Sequence, residues 1–191
     1  MTQLAAVIVS TSIISACKKK QEQGYCSLYK LSLPYVYSIV KRYIYQEEER
    51  KDLVQEVYAQ VFQQIGQFDP DKGSFKFWLR KIAVNICLMH IRKEKRFHLL
   101  VPLEHIDENK YAEELRFDSL SKEMIRRLLD KMPKGYRTIF LLVVIDDFSH
   151  AEVGNMLGIS PETSRSQLSR AKIWIRNKLQ QDIKLQANGF F

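Results

Sequence analysis

The sequence predicts an all-α protein made of two small helical domains joined by a flexible linker, the C-terminal one carrying a helix-turn-helix. Three observations lead there. Apolar residues recur at three and four spacing through residues 25–97 and again from residue 118, with no run of strand-like alternation. Between those stretches, residues 98–117 lose the periodicity and hold Pro102 and five acids (Glu104, Asp107, Glu108, Glu113, Glu114) against two bases (Lys110, Arg116), the composition of a linker. Residues 148–175, FSHAEVGNMLGISPETSRSQLSRAKIWI, then place helix caps on either side of a very short glycine-containing turn. The expected domains are therefore residues 1–97 and 118–191, separated by the 98–117 linker.

The whole-chain properties bound the function. With 191 residues and 46% hydrophobic content, two small cores are affordable and disorder is excluded. The 30 lysines and arginines against 22 acids, a net charge of +8, favour a polyanionic partner, nucleic acid or an anionic surface. Cys17, Cys26 and Cys87 are odd in number and show no metal-ligand spacing, so they read as reduced thiols in a cytosolic protein; no metal and no cofactor is expected. The four histidines (His90, His98, His105, His150) form no HExxH, and GxSxG, P-loop and GxGxxG patterns are all missing, which argues against an enzyme.

At the N-terminus the apolar residues from Leu4 to Val9 and the stretch ISAC ending at Cys17 faintly suggest a lipoprotein signal. No Lys or Arg precedes that run, however, and Ser10, Thr11 and Ser12 interrupt it far short of a membrane span. The reading is a tail leading into a first helix, with no stable membrane insertion. Pro34 then makes YCSLYKLSLPYVYSIVKRYIY two helical pieces or one kinked helix. In DLVQEVYAQVFQQIGQF, Leu53, Val54, Val57, Tyr58, Val61 and Ile65 share one side, which is core; Asp52, Gln55 and Glu56 point away from it.

The segment FDPDKGS, residues 68–74, is a loop, and Ser74 offers an N-cap to the helix after it. That helix is apolar on two sides, Phe75, Trp78, Leu79, Ile82 and Ile86 on one and Phe77, Val84 and Leu88 on another, as the central member of a bundle would be. Phe75 and Trp78 could stack on bases, but their shared side favours the core. Lys81, Asn85, Arg92 and Lys95 align along one side. Beyond the linker, SKEMIRRLLDKMP and KGYRTIFLLVVIDDF read as two helices parted at Pro133, with residues 140–145 as a buried stretch.

Ser149 caps the next helix, residues 150–157, with Glu152 completing a capping box, and Gly158 ends it in a left-handed conformation. Ser160 and Pro161 start another helix about three residues later, and Gly154 lets the two approach. On that last helix Ser164, Leu168, Ala171 and Ile175 form the packed face, opposite Glu162, Arg165, Ser166, Ser169 and Arg170. Residues 163–181 hold Arg165, Arg170, Lys172, Arg176 and Lys178 and no acid. An outward face of Arg and Ser suits the DNA major groove.

Taken in order, DLVQE, the loop FDPDKGS with its long helix ending MHIRKEKR, the linker, and the helix-turn-helix resemble the small extracytoplasmic-function branch of the sigma-70 family, promoter-recognition subunits of bacterial RNA polymerase. The resemblance covers about residues 12–180 and leaves out 1–11 and 181–191. It implies that Asp52, Leu53, Gln55 and Glu56 dock on core RNA polymerase. It implies further that Phe68, Asp69, Lys72, Ser74, Lys81, Asn85, Arg92 and Lys95 serve the minus-ten element, where the loop holds an extruded base. Extrusion costs free energy, so capture of one base both selects sequence and helps melting. Arg165, Ser166, Gln167, Ser169, Arg170 and Lys172 would serve the minus-thirty-five element. Gln167 stands where many relatives carry Arg, which bears on phosphate affinity, and Ser164 replaces a usual Val, which suggests a looser domain. Implied partners are core RNA polymerase, promoter DNA and, as a further candidate, an anti-sigma factor, with transcription initiation as the function. The alternative is a stand-alone helix-turn-helix DNA-binding regulator, which would need an effector or dimerisation domain.

Overall fold

The computed structural model describes residues 9–93 and 121–188, with side chains through Gln181 apart from that of Lys122. The residues expected to form the linker, 98–117, lie outside the described set, as do Lys95 and Leu4. The chain divides into two units, Met1–Arg96 and Phe97–Phe191.

The described residues of the first unit form α1 Thr11–Lys18, α2 Glu22–Tyr43, α3 Glu47–Gln64 and α4 Phe75–Lys93. Pro34 does not divide α2. Its ring leaves the carbonyl of residue 30 without an N–H partner, but the position is exposed, so water can take that carbonyl. Leu28, Val36, Ile39 and Val40 of α2, Val57 and Val61 of α3, and Leu79, Ala83, Val84 and Cys87 of α4 are fully buried together. The expected core side of α3 is the observed one, and α4 is apolar on two sides because it packs against both α2 and α3. Ser32, the buried polar residue of α2, hydrogen-bonds the Leu28 carbonyl at 2.7 Å and the Tyr58 hydroxyl at 2.8 Å. Burial pushes the Tyr58 phenol up to about 12.

The first helix lies against α2 at Gly24, where a Cβ would come within 2.8 Å of Ala16 Cβ and of the Cys17 backbone nitrogen. No other residue permits that approach. Cys17 is fully buried, which raises its thiol pKa.

The second unit contains α5 Lys122–Lys131, α6 Lys134–Phe140, α7 His150–Leu157 and α8 Pro161–Asn188. Ser121 caps α5, its hydroxyl accepting the Met124 N–H at 3.1 Å. α6 continues into one wide π-helical turn, Leu141–Ile145, where the Asp146 N–H reaches the Leu141 carbonyl at 2.8 Å. The helical reading of this apolar stretch holds, but not its uniform burial: Phe140, Leu141 and Leu142 are buried, whereas Val144 and Ile145 are exposed. Six successive residues exceed one helical turn, so they cannot all face the same core. Asp147, at φ 59°, then turns the chain into α7, a conformation Asp tolerates better than most residues. Among the described residues no helix is long and apolar enough to cross a membrane.

Candidate nucleic-acid interface

In the first unit, the loop between α3 and α4 consists of two short 3-10 turns, Ile65–Gln67 and Pro70–Lys72. Phe68 departs from its expected role as a contact: only 6% exposed, its ring meets Phe75 edge-on at 5.3 Å and Trp78 at 5.6 Å. An aromatic ring between two surface turns is more stable against its neighbours than in water. The rest of the loop hangs from that anchor. Asp69 Oδ1 accepts the Asp71 N–H at 3.0 Å, and Lys72, 84% exposed, lies 3.6 Å from the Asp69 carboxylate. Gly73, at φ 147°, makes the bend that residues with side chains resist. Ser74 caps α4, accepting the Phe77 N–H at 3.2 Å.

Phe75 is core as expected, whereas Trp78 is half-buried, its ring tilted against those of Phe68 and Phe75. On α4 the exposed Lys81, Met89 and Arg92 and the half-buried Asn85 follow Trp78 along one stripe. By helical geometry these residues fall within about one quarter of the circumference. The stripe combines cationic, amide and aromatic surface, the chemistry that holds an unstacked strand.

On α3, Asp52, Gln55 and Glu56 are exposed together, but Leu53 is 3% exposed and belongs to the core. This corrects its assignment as a contact: Leu53 sits one residue beyond Asp52, about 100° round the helix. The N-terminal turn of the helix is held on two sides. Arg50 Nε donates to the Ile44 carbonyl at 2.8 Å, and His90 Nε2 lies 3.1 Å from Glu49.

In the second unit the helix-turn-helix has the expected caps. The Ser149 hydroxyl accepts the Glu152 N–H at 3.2 Å and Glu152 accepts the Ser149 N–H at 3.1 Å. Gly158, at φ 70°, closes α7 by donating to the Gly154 carbonyl at 2.8 Å. A Cβ at Gly154 would lie 2.7 Å from the Ile159 carbonyl oxygen, so this glycine sets how tightly the turn folds back. Ser160 caps α8, accepting the Thr163 N–H at 3.0 Å.

Arg165, Ser169 and Lys172 of α8 are exposed and Ser166 and Arg170 are half-buried, so the outward basic face exists as an arrangement. Arg165 pairs with Glu162 at 2.6 Å, an exposed contact that a stronger acceptor can displace. The Ser166 hydroxyl donates to the Thr163 carbonyl at 3.0 Å. Gln167 is the exception: it is 4% exposed and its Oε1 has no hydrogen-bond donor. It lies about 60° from Ser164, beside Ala171, on the packed side. A residue in that place does not reach a base.

Ser164 also differs from expectation. It is fully buried, and its hydroxyl lies 2.8 Å from His150 Nδ1, so the position is a satisfied polar contact between α7 and α8 rather than a loosened apolar one. No role for His150 was legible from the sequence, although its place at the start of α7, fourteen residues before Ser164, was the available signal. Burial, reinforced by the positive Arg165 and Lys172, lowers the His150 pKa below 6.5. Folding therefore favours neutral imidazole, and stability present above the unfolded pKa is lost as pH falls through it toward the folded value. The C-terminal unit is expected to melt earlier at pH 5.5 than at pH 7.5, with the difference reduced in His150→Gln; identical pH slopes in the two proteins would contradict this.

Two family descriptions match the chain, Sigma-70 region 2 over residues 28–97 and Sigma-70, region 4 over residues 122–175. Among curated proteins, the ECF RNA polymerase sigma factor SigE of Mycolicibacterium smegmatis is 28% identical over 148 residues, covering 75% of this chain but only 57% of that protein. SigW of Bacillus subtilis is 24% identical over 177 residues, covering 87% of this chain and 94% of that one. Among solved structures, CnrH in complex with the cytosolic domain of CnrY aligns with a TM-score of 0.54 at 20% identity, over 90% of this chain and 97% of that one. RpoE of Bartonella quintana, in complex with the anti-sigma factor NepR, aligns at 0.53 and 19%, over 82% and 96%. The structural likeness carries the fold, while the two family matches span most of the chain in the order that its two units follow: it belongs to the sigma-70 family of RNA polymerase sigma factors, in the extracytoplasmic-function branch.

Proposed function

We propose that this chain binds core RNA polymerase, places it on a two-part promoter and assists DNA opening, without catalysing a reaction itself. It works where that polymerase works, in the cytoplasm. The observation that carries this reading is the pairing of a region 2 unit and a region 4 unit, each holding an exposed polar face on a packed helical frame. On the first unit Asp52, Gln55 and Glu56 dock on the polymerase. Asp69, Lys72, Lys81, Asn85 and Arg92 serve the minus-ten strand, with Phe68 shaping their loop. On the second, Arg165, Ser166, Ser169, Arg170 and Lys172 serve the upstream element. A stand-alone regulator would have no use for the region 2 unit. Because RpoE of Bartonella quintana is solved with an anti-sigma factor, a partner of that class is part of the proposal.

Run-off transcription with purified core polymerase on a genomic promoter library tests the reading, and failure to associate with core polymerase would end it. In that assay Arg165→Ala or Arg170→Ala should weaken upstream-element recognition by about 1 to 3 kcal/mol and relax its sequence preference. Wild-type behaviour of both variants would remove α8 from recognition.

A further inference from the structure

We propose that α1, which precedes the region 2 match, is a brace for the minus-ten loop, and that Lys18 is the positioning residue through which it acts. The family match begins at residue 28, so nothing in it assigns a role to this helix. Lys18 Nζ donates a 2.7 Å hydrogen bond to the Phe68 carbonyl across fifty residues of sequence, and sits 6.0 Å from the Phe68 ring centre. The loop is thus held from both directions: the Phe68 side chain is gripped by Phe75 and Trp78, and its carbonyl by Lys18.

The brace is itself fixed. Ile14 and Cys17 of α1 are buried, and Gly24 lets α1 lie so close to α2 that a Cβ there would come within 2.8 Å of the Cys17 backbone nitrogen. Lys18 adjoins Cys17, so seating that residue places the ammonium group. Asp69 follows Phe68 immediately and orders the rest of the loop by accepting the Asp71 N–H from its side chain and the Lys72 N–H from its carbonyl, at 3.0 and 3.2 Å. A shift of the Phe68 peptide therefore moves the groups assigned to the extruded base. A charged donor to a carbonyl at a loop hinge selects one peptide orientation, and orientation at a recognition site governs discrimination more than it governs overall stability.

This inference rests on the promoter-reading role proposed above, and its test separates the two. The full chain, as wild type, Lys18→Met and Lys18→Arg, is assembled with core polymerase on the strongest template from the run-off library and on its single-base minus-ten variants. Lys18→Met keeps the aliphatic stem but no donor. Its discrimination between minus-ten bases is expected to fall by about three- to tenfold, the range for one hydrogen bond whose charged donor residue is solvent-exposed. Polymerase affinity and upstream-element preference should stay unchanged, and Lys18→Arg should restore discrimination. Amide hydrogen exchange at Asp71, Lys72 and Gly73 should quicken in Lys18→Met while that of Leu79 in the core does not. If wild type discriminates and Lys18→Met equals it, the brace is refuted alone. If wild type shows no minus-ten discrimination, the promoter-reading role falls and the inference with it.

Discussion

Phe68→Ala is expected to destabilise the loop and the first turn of α4 by about 3 kcal/mol, the lower end of the cost of truncating a buried phenylalanine. The ring is 6% exposed and touches Phe75 and Trp78, so its removal leaves a hole beside two aromatic neighbours. A loop can peel away locally rather than take the whole unit with it, which keeps the cost from running higher. Each unit holds one of the two tryptophans, Trp78 or Trp174, so in a Trp174→Phe background the urea transition followed by Trp78 fluorescence reports the first unit alone. Minus-ten discrimination should be lost with the loop while polymerase binding through α3 persists. An unchanged transition midpoint would mean that the aromatic cluster does not hold the loop.

The second large effect belongs to Gly154→Ala. In a helix that exchange ordinarily gains about 0.5 to 1 kcal/mol. Here the added methyl would stand 2.7 Å from the Ile159 carbonyl oxygen, with Pro161 close behind, and backbone has no rotamer by which to move aside. Overpacking of this kind costs about 1 to 3 kcal/mol, so the sign reverses. The turn must open, carrying the start of α8 and with it Arg165 and Ser169. The measurement is thermal unfolding of the second unit together with affinity for a duplex carrying the upstream element; both should fall. A variant as stable and as tightly bound as wild type would show that the close approach is not required.

The caps of α4, α7 and α8 and the glycine that ends α7 were legible because each depends on neighbours within four residues. Ser149 with Glu152, Ser160 with Thr163 and Gly158 at φ 70° are local solutions to the unpaired groups at helix ends. The exposed set Asp52, Gln55 and Glu56 was equally readable, since helical periodicity alone separates it from Leu53. The basic outward face of α8 followed from the same arithmetic. Gln167 did not, because a family pattern placed it among contacts while its angular position beside Ala171 placed it in the core.

Long-range contacts were beyond such reasoning. Lys18 reaches Phe68 only because Gly24 lets α1 settle on α2, and His150 meets Ser164 only because Gly154 lets the turn close. Periodicity marks which face of a helix is buried, not which partner buries it. The amino-acid order thus determined the elements, their ends and their polar faces, since these rest on backbone hydrogen bonding and burial within a few residues. Tertiary packing alone decided that a loop phenylalanine is an anchor, that a serine on α8 has a histidine partner and that a lysine from the first helix holds the loop, since each depends on distances set by the packing of separate helices.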